Sequence, residues 1–110
     1  MLAAGKLSER VTLQAPAETR GAAYSDVKKA WADVATVWAA FEPLSGRELL
    51  LAQQVNSEIT VRFRLRYRAD ITAKWRVIYR GRVFQIAAPP IDVGGRGVEL
   101  HLQCVETRVG

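Results

Sequence analysis

Cys104 is the only cysteine and His101 the only histidine in a chain of 110 residues. One thiol excludes an internal disulfide and fits a cytosolic origin. His101 has no cysteine partner at ligand spacing, so it reads as a surface residue rather than a metal ligand or catalyst. Cys104 alternates with Leu100 and Leu102, as a small buried hydrophobe would. No run of about eighteen uncharged apolar residues occurs, and the start, Met1 to Arg10, lacks a charged leader followed by an apolar run. Neither a membrane span nor a signal peptide is expected. Asp33, Glu42 and Asp70 fall on different elements, with no matched acid and base among them. Gly94-Gly95-Arg96-Gly97 lacks the strand-to-helix context and the lysine of a phosphate loop, and reads as a flexible turn. Hydrolytic and redox chemistry thus have no visible apparatus. No catalytic residue, metal or cofactor is expected, and the chain reads as a non-enzyme.

What the chain does have is centred on Ser57 to Arg68. Ile59, Val61, Phe63, Leu65 and Tyr67 alternate there with Thr60, Arg62, Arg64, Arg66 and Arg68. A period of two puts one set on each face of a strand. Burying the five apolar side chains stabilises by at most about 1.5 to 3 kcal/mol each. That fixes the register, because a slip of one residue would turn the arginines inward. At about 3.4 Å per residue, Ile59 to Arg68 spans roughly 30 Å, long enough to bend around a barrel or sandwich.

The other elements follow in order. Arg10 to Ala15 is a first strand with Val11 and Leu13 inward, ended by Pro16. Ala17 to Lys29 is small, polar and aperiodic, and reads as an exposed loop. Trp31 to Phe41 is a strand with apolar residues on both faces, which suggests burial on both sides, within the domain or at a subunit contact. Ser45 with Glu48 has the form of a capping box and predicts a helix through about Val55, stopped at Asn56. Leu49, Leu50, Leu51, Ala52 and Val55 make that helix apolar enough to pack on something. Residues 74 to 87 form a hairpin turning at Arg80-Gly81, with Trp75, Val77 and Tyr79 on one side. Pro89-Pro90 and Gly94 to Gly97 bracket a mobile loop, and the last strand, Val98 to Val105, buries Val98, Leu100, Leu102 and Cys104. The expected fold is mainly β: one domain, residues 1–110, a small antiparallel barrel or sandwich of about six strands with one short helix between the second and third.

Charge is unevenly spread. Between Arg62 and Arg82 eight basic residues face one acid, Asp70, for a net +7, whereas the remaining residues carry −2 and the whole chain +5. Arg62, Arg64, Arg66, Arg68, Arg76, Arg80 and Arg82 therefore form a candidate basic face for something anionic, unless Glu99 or Glu106 on neighbouring strands neutralises it. Trp75 and Tyr79 beside these arginines fit either a base-stacking platform or a core face. Alternation separates aromatics from arginines, which favours contact with phosphate or carboxylate over bases.

Several short matches then coincide: Gly5-Lys6-Leu7 with Arg10-Val11 and Gln14; Trp31, Val34 and Trp38-Ala39; Glu42-Pro43-Leu44-Ser45-Gly46-Arg47-Glu48; Gln53; Arg66-Tyr67-Arg68; and Arg76-Val77 with Tyr79-Arg80-Gly81-Arg82-Val83-Phe84 and Ile86. On these the chain resembles, from about Gly5 to Glu106, the head-tail joining (head-closure, or stopper) proteins of long-tailed bacteriophages, prophages and gene transfer agents. The resemblance implies a small β-barrel made in the host cytoplasm and built into the virion at the head-tail interface. There it would form a ring of six or twelve copies, with the portal and adaptor on the head side and the tail terminator on the tail side. The ring would close a DNA-filled head, with double-stranded DNA met without regard to sequence and no membrane involved. The excursion from Pro43 to Glu58 would face the channel, making Pro43, Leu44, Ser45, Gly46, Arg47, Glu48, Leu49, Gln53 and Gln54 the gating segment. Subunit contacts would draw on Trp31, Trp38, Phe41, Leu50 and Leu51. Pro89 to Gly97 and the apolar Leu49-Leu50-Leu51 depart from the common pattern, so no single residue is assigned as plug tip. The rival reading is a monomeric basic barrel that grips nucleic acid through phosphates, and it predicts tight, salt-sensitive binding by the isolated protein.

Overall fold

Alternation of apolar and polar residues lays down most of a closed sheet. The computed structural model describes residues 7–20 and 27–107. Its elements are β1 (Glu9–Arg20), β2 (Val27–Pro43), α1 (Gly46–Val55), β3 (Val61–Arg66), β4 (Arg76–Tyr79), β5 (Arg82–Ile86), β6 (Ile91–Asp92) and β7 (Glu99–Thr107). Every pairing among them is antiparallel. The order β3-β2-β1-β4-β5-β7 returns on itself because β3 also pairs with β7, so six strands close a barrel and the two-residue β6 lies along β7. Closure removes most of the exposed sheet edge.

The inward residues of the six strands meet at one core. Val11, Leu13, Ala39, Phe63, Leu65, Val77, Phe84, Leu100, Leu102 and Cys104 are all buried there. At its centre Phe41, Phe63, Tyr79 and Phe84 stack or meet edge to face, with ring centroids from 4.8 to 6.4 Å apart. Arg80 and Gly81 both take positive φ, 51° and 75°, the requirement of the tight turn joining β4 to β5.

The strand at residues 59–68 is shorter than its alternation suggests. Hydrogen-bonded pairing runs only from Val61 to Arg66, while Ile59 stays buried ahead of it and Tyr67 is already half out in solvent. The arginines point outward and the apolar set inward, as the period of two requires.

Six other expectations need correction. Pro16 does not end β1: it pairs opposite Trp31, and the ladder continues to Arg20 opposite Val27. Beyond Gln14 β1 has lost its β4 partner, so Pro16 sits on an edge strand, the part of a sheet that tolerates proline. Residues 17–20 and 27–29 are therefore strand rather than loop, and residues 21–26 lie outside the described residues. The arm gave no periodic signal in the sequence, and what the structure shows of it is backbone pairing with the neighbouring strand. It also lengthens the molecule, which measures 52 × 27 × 27 Å.

β2 is not buried on both sides. Ala35, Val37, Ala39 and Phe41 turn inward, but Val34 and Trp38 are 42% and 53% exposed on the outer face. The loop at 89–97 is not slack either, since it contains β6 and a 3-10 turn over Val93–Gly95, and the Gly97 amide donates to the Asp92 carboxylate at 3.0 Å. Val98 lies outside β7 and is exposed, because the inward set begins only at Leu100.

The helix stands where expected, with Ser45 at its N-cap and Asn56 at its C-cap, but no capping box forms. Ser45 makes no side-chain cap bond, and Glu48 turns away to Arg62 at 2.6 Å. The satellite core beneath the helix is small, made of Ala52, Ile59 and Ala88 with Leu44, Ala87 and Val105.

Candidate functional site

Cross-strand register puts carboxylates beside most of the arginines of the basic face. Glu42 on β2 lies opposite Arg62 on β3, and its carboxylate sits 2.8 Å from the Arg62 guanidinium and 3.2 Å from that of Arg64. Arg62 also reaches Glu48 on α1, tying strand to helix. Burial alone would push the Glu42 carboxyl up, but hydrogen bonds and charge from Arg62 and Arg64 together hold it below the usual carboxylate range.

Other arginines are paired as well, Arg68 with an acid two residues on in the same loop. Arg68 makes two bonds to Asp70, at 2.9 and 3.2 Å. Arg82 makes two to Glu106, at 2.8 and 2.9 Å. Arg80 reaches Glu9 at 3.1 Å, and the Tyr79 hydroxyl donates to the same Glu9 oxygen at 2.9 Å. Arg76 instead donates to Gln14 at 2.7 Å and lies over the Trp31 ring at 4.2 Å. Of the seven arginines, Arg66 alone makes no side-chain bond or ion pair among the described residues, so the local excess of charge read from sequence is largely balanced in space. Glu9 and Glu42 went unnoticed as counterions because only the strand pairing shows which acids face the arginines.

The excursion between β2 and β3 presents a different surface. It leaves the barrel where the Leu44 amide donates to the Thr60 carbonyl at 2.9 Å. Of the helix only Ala52 is fully buried, while Leu50, Leu51 and Val55 are 66%, 53% and 63% exposed. Gln53 faces back and donates to the Ile59 carbonyl at 3.1 Å, so it positions the segment. Pro43, Ser45, Gly46, Arg47, Glu48 and Gln54 are exposed, and Leu44 and Leu49 are half-buried.

The remaining candidates separate. Phe41 is taken up by the aromatic core, Trp31 is half-buried under Arg76, and Trp38 stands out on the surface with the Arg10 guanidinium 4.7 Å above it. In sequence Arg10 belonged only to a short match at the start of the first strand. It finds Trp38 because the two are direct partners in the β1–β2 register. His101 is mostly covered and lies 2.7 Å from Glu99. Cys104 is buried, and burial pushes its thiol far above the usual range. Trp75 and Tyr79 are core residues rather than a stacking platform. Among the described residues no three of His, Cys, Asp or Glu converge as a metal site would require, and no helix is long and apolar enough to cross a membrane.

The chain is similar to known proteins in sequence and fold. The chain is 35% identical over 65 residues to the head completion protein gp16 of Bacillus phage SPP1, a match spanning 59% of this chain and 60% of that one. The solution structure of protein SF1141 from Shigella flexneri 2a aligns over 99% of this chain and all of its own, at 29% identity and a TM-score of 0.79. A chain in the virion of a native gene transfer agent particle shares the fold at a TM-score of 0.57 and 16% identity, covering 91% of this chain and 94% of that one. Residues 2–107 match the family described as phage head completion protein. With that match over nearly its whole length, the chain belongs to the phage head completion protein family.

Proposed function

We propose that the protein is one subunit of a ring at the head-tail interface, which closes the DNA-filled head and joins the portal or adaptor to the tail. The whole chain, residues 1–110, acts as one unit in this reading, and its role is structural rather than catalytic. Beyond family membership, the observation that carries it is the helix left outside the barrel. Leu50, Leu51 and Val55 form an apolar stripe exposed to water, a surface that a neighbouring subunit would cover at a favourable 25 cal/mol or so per Å² of apolar area. A closed ring brings each copy against the next through the same pair of surfaces.

The segment from Pro43 to Glu58 then serves as the gate, with Arg47 and Gln54 among its exposed polar groups. DNA passing such a ring meets them as phosphate contacts that read no sequence. The internal pairing of Arg62, Arg64, Arg68, Arg80 and Arg82 argues against a barrel wall that grips DNA by itself, and so against the monomeric nucleic-acid binder. Particles made without this protein provide the test. The expected product is filled heads that lose DNA and carry no tails; heads that keep their DNA and join tails normally would refute the proposal.

A further inference from the structure

On the outer face of the barrel the balance of charge stops at Trp38. The row through Arg64 has Glu42 on the neighbouring strand. One step further along the sheet, Trp38 on β2 is flanked by Arg10 on β1, its direct register partner, and by Arg66 on β3, which follows the paired Leu65–Ala39 position. Glu99 lies opposite Arg66 in register, yet its carboxylate turns to His101 at 2.7 Å and towards Arg64 at 3.9 Å. Arg10 and Arg66 thus stand exposed with no carboxylate bonded to either among the described residues. Arg68, at the far end, is held by Asp70.

Between them lies a recess of about 400 Å³, lined by Arg10, Thr36, Val37, Trp38, Arg66, Tyr67 and Arg68. It opens where β3 parts from β2, since Ala39–Leu65 is the last paired position. Trp38 and Tyr67 are 53% and 38% exposed there, so apolar rings sit in water between cations.

We infer that this recess docks an acidic segment of a partner protein, seating an apolar side chain against Val37, Trp38 and Tyr67 while its carboxylates pair with Arg10 and Arg66. Size and chemistry choose this occupant over nucleic acid. The recess admits a side chain, not a duplex, and the Arg10 guanidinium already covers a face of Trp38 that a base would need for stacking. Arginine beside an aromatic in a partly desolvated pocket is a usual composition for a protein-binding anchor. The inference goes beyond the ring reading and does not depend on it, because the recess is complete within one chain.

The test uses the full chain and nuclear magnetic resonance of the Trp38 indole. Three probes are compared: a short synthetic peptide alternating glutamate with leucine and phenylalanine, the same peptide with lysine for glutamate, and a short DNA duplex. The glutamate peptide is expected to shift Trp38, Thr36 and Tyr67, to weaken with added salt, and to bind about tenfold less well or worse to Arg66→Glu and Arg10→Glu. Lys74→Glu, the same charge reversal at an exposed residue that does not line the recess, should bind normally. No shift at Trp38, equal binding of the lysine peptide, or stronger binding of the duplex at the same residues would each overturn the proposal. A ring that fails to form in particles would leave this result unchanged, so the two readings fail separately.

Discussion

Glu42 holds Arg62 across the β2–β3 ladder, carboxylate to guanidinium at 2.8 Å. The same carboxylate serves Arg64, so a single acid balances two partly buried cations. A neutral amide at this position leaves Arg62 with Glu48 as its one remaining carboxylate and Arg64 with only the more distant Glu99 at 3.9 Å, although its oxygen can still accept a hydrogen bond. Glu42→Gln should therefore cost about 1 to 3 kcal/mol of stability. Urea denaturation checks this, and an unchanged midpoint would mean that the ladder is solvated rather than structural.

Acid should undo the same contact. The unfolded carboxyl titrates near 4.5 and the folded one lower. Between the two values the unfolded chain takes up a proton that the folded chain refuses. The contribution of Glu42 is thus fully present above the ordinary value and is lost as pH falls through the lowered one. Asp70 beside Arg68 is shifted the same way, but it is half exposed and screened. Stability measured against pH should fall more gently below about 4.5 in Glu42→Gln than in the parent protein.

Ser45 is a sequence signal that the fold does not use. Its hydroxyl makes no cap bond, so Ser45→Ala should change stability by less than about 0.5 kcal/mol, compared with about 1 kcal/mol for a working cap. Thermal melting of the two proteins decides it. A loss near the larger figure would mean that the hydroxyl reaches the helix amides in solution.

Leu50→Ser with Leu51→Ser separates folding from assembly. Both side chains are more than half exposed, so the melting curve should barely move, within about 0.5 kcal/mol. Head closure in particles carrying the double variant should fail. Particles that retain DNA as well as the parent would show that the stripe is not a contact.

The sequence was most legible where a face meets the core. Val61, Phe63 and Leu65 alternate because each points at the aromatic cluster, and the β4–β5 hairpin could be read from Arg80-Gly81 and the apolar residues on either side. Of the partners of the outward arginines, Glu106 on the last strand was legible and does meet Arg82, but Glu42 was not, since it lies twenty residues from Arg62 in sequence and only the register makes them neighbours. The arm beyond Gln14 was missed for the opposite reason: backbone pairing holds it, and backbone pairing leaves no trace in side-chain pattern. At Ser45 the motif was present but a stronger competitor intervened, because Arg62 offers Glu48 a charged partner in place of an amide.

The bond from the Leu44 amide to the Thr60 carbonyl has a mechanical consequence. It fastens the two ends of the excursion to the barrel rim, so the span between them hangs like a flap from a rigid frame. Lifting that flap would uncover little more than Ala52, Ile59 and Ala88 and release Glu48 from Arg62, while every rung of the six-stranded cylinder stayed made.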